Sequence, residues 1–205
     1  METVNVYTIK ELKEEFPEEY NKAFGKFQQE QYEDIPWRNE LLGSFTKTFE
    51  MAGVNLQNYS LGLSQSSVRF TMPTYWSELA ECDMLVEDYT GQRAKNWLKG
   101  AFEIHSVKLV HYKGDKGKSC KRYDFRNGDG TYWEGFTGYC ADYDFVESLF
   151  MEIKDGETLE DAFRNLAYVY EKLLNAELEY NQSEENFLEM CEINDWKFLE
   201  DGRLM

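Results

Sequence analysis

The sequence has few of the residues that build metal sites and cross-links. Its four cysteines are Cys82, Cys120, Cys140 and Cys191. No two of them stand at the Cys-x-x-Cys spacing of a zinc site. We therefore expect no metal and no cofactor. We also expect the thiols to be free, as in a reducing cytoplasm.

Long hydrophobic runs are missing as well. No apolar stretch approaches the roughly 20 residues that cross a bilayer. The first residues, Met1 to Asn5, are polar and lack both the basic and the apolar part of a secretory leader. We therefore expect a cytoplasmic protein that makes no membrane contact.

Basic residues are scarce relative to acidic ones: 22 Lys and Arg stand against 39 Asp and Glu, for a net charge of −17. Residues 142–205 hold 18 acids and 5 bases, so most of the excess lies there. Because phosphates are bound by Lys and Arg, this acidic part argues against direct binding to nucleic acid. The one basic stretch runs from Lys108 to Arg126, and whether it binds anything stays open. A strongly acidic surface fits a basic protein partner, although it also serves solubility.

Aromatic residues make up 16% of the chain, which excludes a disordered acidic tail. Periodic apolar positions predict helices at both ends, and capping patterns begin several of them: Thr8 with Glu11, Thr158 with Asp161, and Ser183. We expect a single α+β domain over 1–205. In it, 1–55 is a helical N-terminal part, 56–140 is mainly β, and 141–205 is an acidic helical C-terminal part.

The centre of the chain predicts a sheet. Asn127-Gly128-Asp129-Gly130 is a strong hairpin signal, and it is flanked by two predicted strands, Cys120–Arg126 and Thr131–Tyr139. We expect a central antiparallel sheet of four to five strands, with the C-terminal helices packed on it.

Catalytic patterns are weak. The glycine-rich segments near Gly114 and Gly128 are typical of turns and match no phosphate loop. His105 and His111 stand six residues apart on a predicted strand, so an enzymatic or small-ligand site built on them remains an alternative. Asp142, Asp144 and Glu147 either cap a helix, which we favour, or hold a divalent cation. We expect a protein that is not an enzyme.

Several segments together resemble a family of uncharacterised phage and prophage proteins, some of which carry an antitoxin-like label. The resemblance rests on Tyr7-Thr8-Ile9-Lys10-Glu11-Leu12, on Ala52-Gly53-Val54, on the segment from Tyr59 to Phe70, and on Ser183 to Leu204. Ser66-Ser67 departs from the family's Gly-Asp-Gly turn. The resemblance implies a phage or prophage origin, a compact α+β fold and no assigned enzyme activity. It also suggests a counter-defence role, such as an anti-CRISPR inhibitor that mimics DNA.

We therefore predict an acidic binding protein that inhibits a host defence nucleoprotein through a basic nucleic-acid-binding surface, such as that of a CRISPR effector. An antitoxin-like regulator that neutralises a basic partner is the alternative. Carboxylates on helices attract the same cationic side chains as phosphates do. The predicted partner-binding residues are Asp142, Asp144, Glu147, Glu152, Glu177, Glu179, Glu184, Glu185, Glu189 and Glu192.

Overall fold

A computed structural model describes residues 5–33, 37–73, 85–103, 106–113, 119–127 and 129–205. Its helices are α1 Ile9–Glu15, α2 Pro17–Glu33, α3 Trp37–Met51, α4 Gly91–Ala101, α5 Ala141–Asp155, α6 Leu159–Asn181 and α7 Glu184–Ile193. Its strands are β1 Asn55–Ser60, β2 Ser67–Thr71, β3 Ser106–Lys113 and β4 Ser119–Arg126, and Val86–Asp88 form a short 3-10 helix. None of the described helices is both long and apolar enough to span a membrane.

The chain divides into two compact units. Unit 1 contains Met1–Pro36 together with Asn175–Met205, and unit 2 contains Trp37–Leu174. The boundary falls within α6, and unit 1 therefore combines the two ends of the sequence. The assignment of 1–205 to one domain stays a prediction, and each unit is described here by itself.

Unit 1 is built from α1, α2, the end of α6 and α7. The predicted capping box begins α1, with the Glu11 amide donating to Thr8 Oγ1 at 3.3 Å and the Thr8 amide donating to Glu11 Oε2 at 2.7 Å. Pro17 is the first residue of α2, where its missing N–H costs nothing. The predicted cap of α7 is also confirmed, because Ser183 Oγ accepts from the Asn186 amide.

Aromatic rings form the core of unit 1. Phe187 of α7 lies 5.0 Å from Phe27 of α2 and 6.4 Å from Phe198, measured between ring centroids, and all three side chains are buried. Phe198 also exchanges two backbone hydrogen bonds with Tyr7, of 2.9 and 2.8 Å, which join the two ends of the unit's sequence.

Unit 2 has a helical core. Phe45 and Phe49 of α3 meet Phe145 of α5 and Phe163 of α6, with centroid distances of 5.7 Å for Phe45–Phe145 and 5.3 Å for Phe49–Phe163. All four rings are fully buried. Thr158 begins α6 as predicted, with its hydroxyl bonded to the Asp161 carboxylate and accepting from the Asp161 amide.

The α+β class is confirmed, but the prediction of a four- to five-stranded central sheet is wrong. The described strands form two separate antiparallel pairs, β1 with β2 and β3 with β4. In the second pair Val107 stands opposite Phe125 and His111 opposite Lys121. The first pair contains an irregularity between Leu56 and Asn58.

The missing strand is the one predicted from Thr131 to Tyr139. In the predicted turn the Gly130 amide donates to the Asn127 carbonyl at 2.8 Å, and Gly128 lies outside the described residues. Beyond it only Tyr132 pairs, as a single bridge to Arg126. Gly135 and Gly138 then adopt left-handed backbone angles, and the two amides between them, of Phe136 and Thr137, donate to the Asp142 side chain of α5 instead of to a neighbouring strand.

Candidate functional site

The predicted partner-binding residues fall into both units. Asp142, Asp144, Glu147 and Glu152 belong to unit 2, all on α5. The other six belong to unit 1, on the end of α6 and on α7: Glu177, Glu179, Glu184, Glu185, Glu189 and Glu192. The structure therefore divides the ten carboxylates between the two units.

Asp142 is a buried structural residue. Its side chain is 1% exposed and accepts hydrogen bonds from the Phe136 amide at 2.7 Å and the Thr137 amide at 2.6 Å. The Thr137 hydroxyl donates to the same carboxylate at 3.0 Å, and it lies 3.2 Å from Ser44 Oγ of α3. A carboxylate with this burial and these donors holds a loop in place and has no surface left for a partner.

Neither Asp142 nor Asp144 is the cap of α5, which corrects the favoured interpretation of this cluster. The cap position is Cys140, whose side chain makes no capping hydrogen bond, and both aspartates lie in the first turn. Asp144 is half-buried, and desolvation raises the pKa of its carboxyl group. Among the described residues, no group of His, Cys, Asp and Glu is arranged to hold a metal ion.

The other two α5 carboxylates are also engaged within unit 2. Glu152 accepts a hydrogen bond from Asn165 Nδ2 of α6 at 3.1 Å. Glu147 is half-buried and interacts with other residues of the protein. The α5 acids thus serve the fold of unit 2 more than its surface.

Two of the six predicted acids of unit 1 have basic partners of their own. Glu184 Oε1 lies 2.7 Å from Lys13 Nζ and accepts from the Tyr20 hydroxyl at 2.6 Å. These contacts, led by the Lys13 hydrogen bond, lower the pKa of Glu184. Glu192 forms an ion pair with Lys10. Both pairs tie α7 to α1 at the surface.

Three of the six predicted acids of unit 1 face solvent without a salt-bridge partner in the described part of the chain: Glu179, Glu185 and Glu189. Glu185 and Glu189 stand four residues apart on α7 and so share one face of the helix. Glu177 is half-buried.

Charge differs strongly between the units. Unit 1 has 18 acids and 6 bases in its sequence, a net charge of −12, whereas unit 2 has 21 and 16, a net charge of −5. The acidic body is therefore not the last third of the chain, as the sequence alone suggests. It is a module that adds the nine acids of residues 1–36 to those of residues 175–205.

Unit 1 also contains a cleft of about 200 Å³ between α2, α7 and the final turn of the chain. Its floor is aromatic, and its rim carries three basic and two acidic residues. Phe27, Phe187 and Trp196 belong to the floor, and Lys22, Lys26 and Arg203 are the basic residues of the rim. The sequence alone does not predict this cleft, because α2 and the final turn are far apart in the chain. The only local signal is the turn motif Glu200-Asp201-Gly202-Arg203.

The histidine-based alternative is untested by the geometry. His105 lies outside the described residues, and so does Gly114 of the first glycine-rich loop. His111 lies on β3, in register with Lys121 of β4. Most of the basic stretch from Lys108 to Arg126 thus belongs to one two-stranded hairpin.

Comparisons of the chain with protein-family models, with curated proteins and with solved structures find no match.

Proposed function

We propose that this protein acts by binding, and that unit 1 docks on the cationic surface of a nucleic-acid-binding protein. The observation that carries the proposal is the partition of charge, with a net −12 in a folded body of 67 residues. Such a body attracts a Lys- and Arg-lined groove over the distance of a Debye length, about 10 Å at 0.1 M salt.

Helical carboxylates give this attraction a fixed geometry. Glu185 and Glu189 project from one face of α7. The buried Phe187, with the ion pairs of Glu184 and Glu192, holds this helix against the rest of unit 1. Charged groups held on a rigid element form charge-assisted hydrogen bonds with less loss of conformational freedom than flexible ones. Glu179, Glu185 and Glu189 are therefore the residues that we assign to the contact.

The partner class follows from the resemblance to phage proteins and from this electrostatic match. A CRISPR effector holds its nucleic acids in a positively charged channel that reads the backbone rather than the sequence. An acidic body that occupies such a channel in the host cytoplasm would block the entry of DNA. We therefore propose inhibition by competition with DNA.

A competition assay tests the proposal. A guide-loaded CRISPR effector nuclease is mixed with labelled target DNA, and the bound fraction is followed by fluorescence anisotropy as the protein is added. We expect displacement of the DNA that weakens steeply with salt, because the contact is electrostatic. Polyglutamate at the same charge concentration shows how much of the effect any polyanion would produce.

Matched charge reversals locate the contact. The triple variant E179K, E185K and E189K changes the net charge by the same amount as E40K, E134K and E157K, which alter exposed acids of unit 2. We expect the unit 1 variant to lose most of the displacement and the unit 2 variant to keep it. Equal effects of the two variants, or no displacement beyond that of polyglutamate, would contradict the proposal.

A further inference from the structure

The cleft of unit 1 contains a cluster of basic residues within an otherwise acidic unit. Unit 1 has six basic residues, and three of them, Lys22, Lys26 and Arg203, line this one cleft. The remaining three form ion pairs elsewhere: Lys10 with Glu192, Lys13 with Glu184, and Lys197 with Asp195. In a body with three acids for every base, such a concentration creates a local site for an anion.

The floor of the cleft is apolar. Phe27 and Phe187 are 4% and 1% exposed, and their ring centroids lie 5.0 Å apart. Phe198 is also buried there, and the half-buried Trp196 lines the same cleft. Aromatic surfaces of this kind favour a flat ring, which gains offset or edge-on contacts with them.

The two lysines of the rim form only long, exposed ion pairs with acids of the same helix. Lys22 lies 3.4 Å from Glu19 and Lys26 lies 3.7 Å from Glu30, and both lysine side chains are more than two thirds exposed. Such exposed pairs contribute little to stability. An incoming anion can therefore take their place at small cost.

Asp201 fixes the orientation of the Arg203 guanidinium group. Its Nε is 2.7 Å from Asp201 Oδ2, and its backbone amide donates to the other carboxylate oxygen at 3.1 Å. Since Asp201 engages Nε, the two terminal nitrogens of the guanidinium group keep donors for a second carboxylate, which Arg binds in a bidentate manner.

The wall that presents Arg203 is fixed. Gly202 has a φ of +79°, and a Cβ there would lie 2.6 Å from the backbone carbonyl oxygen of Glu19 on α2. The Gly202 amide also donates to the Leu199 carbonyl at 2.9 Å, which closes the turn. Only glycine permits this close approach of the turn to α2, so the cleft is formed before a ligand arrives.

From these features we infer that the cleft binds a small aromatic carboxylate, with the ring on the Phe27–Phe187 floor and the carboxylate between Arg203 and the lysines. The size agrees with this class. A cavity of about 150 Å³ accommodates benzene, so a cleft of about 200 Å³ has room for a ring with a carboxylate. It is smaller than the roughly 300–1,000 Å³ of sites for larger ligands such as nucleotides. Because Asp201 and Glu30 also lie on the rim, a single negative charge is favoured over a phosphate dianion.

Nuclear magnetic resonance on the intact protein tests this inference. The indole N–H signal of Trp196, assigned with the W196F variant, is followed as phenylacetate is added. We expect a saturable shift with phenylacetate and none with 2-phenylethanol, its uncharged counterpart, or with inorganic phosphate. To distinguish a free acid from a peptide end, Gly-Gly-Phe is compared with its C-terminal amide. Tighter binding of the peptide acid than of phenylacetate identifies a peptide source, and the reverse identifies a free acid.

Charge variants complete the test. R203Q is expected to weaken phenylacetate binding about tenfold, the loss typical of a hydrogen bond to a charged group. K197Q, which removes a basic residue of unit 1 outside this cleft, is expected to leave the binding unchanged. Equal binding of 2-phenylethanol, equal loss in the two variants, or no saturable shift of Trp196 would overturn the inference. None of these results depends on the proposed docking of unit 1, because no partner protein is present.

Discussion

Gly135 and Asp142 are in such close contact that the glycine cannot be replaced without moving the carboxylate. A Cβ at Gly135 would lie 2.5 Å from Asp142 Oδ2, which accepts the amides of Phe136 and Thr137. A methyl group there would displace a buried carboxylate from two charge-assisted hydrogen bonds. This contact is what turns the segment away from a strand.

Gly138 supplies a matched control for that contact. Its φ of +82° is close to the +85° of Gly135, but a Cβ at Gly138 meets nothing within 4 Å. We expect G138A to lower the free energy of unfolding by about 1 kcal/mol, the cost of a left-handed backbone for alanine. We expect G135A to lower it by about 3 kcal/mol or more, because it also breaks hydrogen bonds of a buried charge. Urea denaturation measures both, and equal losses would show that the Asp142 contact adds nothing.

At the scale of the element, the first turns of α5 and α7 contain carboxylates with opposite pKa shifts. Both carboxylates gain from the positive end of the helix dipole. Glu184 in addition contacts Lys13 and Tyr20, whereas Asp144 is half-buried and desolvated. Two carboxylates in the first turns of helices thus give opposite dependences of stability on pH.

The pKa of Glu184 lies below its ordinary value of 4.5 in the folded state. Its contribution to stability is therefore present above pH 4.5 and is lost as the pH falls through the folded pKa. We expect E184Q to be less stable than the wild type at pH 7 and equal to it in strong acid. Denaturation at a series of pH values measures the difference. E185Q, which removes the same charge from the neighbouring residue and leaves the contacts of Lys13 and Tyr20 intact, is the control at each pH.

The pKa of Asp144 is shifted in the opposite direction to that of Glu184. Burial raises its pKa above the ordinary value of 3.8, so the folded state binds this proton more tightly than the unfolded chain does. Stability is therefore lost as the pH rises from 3.8 through the folded pKa. We expect D144N to be more stable than the wild type at pH 7, with the advantage disappearing below pH 3.8. A variant that is less stable at pH 7 would contradict the dominance of desolvation.

The sequence predicts those elements whose signals are local. The capping pairs at Thr8, Thr158 and Ser183 act within one helical turn, and the structure confirms all three. The strand predicted from Thr131 to Tyr139 does not form, because two of its amides donate to Asp142, a residue of the next helix. The alternation of side chains in this segment does not predict a hydrogen bond to a residue of another element. The two glycines, Gly135 and Gly138, are the local signal against a regular strand.

At the scale of the whole molecule, the fold brings together acidic segments that lie at opposite ends of the sequence. Residues 1–36 and 175–205 join in unit 1, so two moderately acidic segments become one body of net −12. The cleft arises in the same way, because Lys22 and Lys26 come from one segment and Arg203 from the other. Neither feature is visible without the long-range pairing of Tyr7 with Phe198. The contact predicted for the acids of α6 and α7 stays a proposal, whereas Asp142 and Glu152 of α5 make hydrogen bonds within unit 2.

This charge partition predicts how salt acts on the two units. Salt weakens the exposed ion pairs of unit 1, but each contributes only about 0–1 kcal/mol. It also screens repulsion among the excess acids, which amounts to about 0.4 kcal/mol for each pair of like charges 10 Å apart in water. With 12 uncompensated charges, repulsion outweighs the few attractive pairs. We therefore expect added NaCl, from about 0.02 to about 0.3 M, to stabilise unit 1 more than unit 2, as the Debye length falls from about 20 to about 6 Å.

Amide hydrogen exchange measures this effect separately in each unit of the same sample. Amides of α2 and α7 report on unit 1, and amides of α3 and α5 report on unit 2. General effects of the salt on exchange chemistry act on both sets and cancel in the comparison. Slower exchange in α2 and α7 at high salt, with a smaller change in α3 and α5, is the expected result. Faster exchange in α2 and α7 would mean that the pairs of Lys10 and Lys13 stabilise unit 1 more than its excess charge destabilises it. Unit 1 would then be held together by its own ion pairs, and its acids would be less available to a cationic partner.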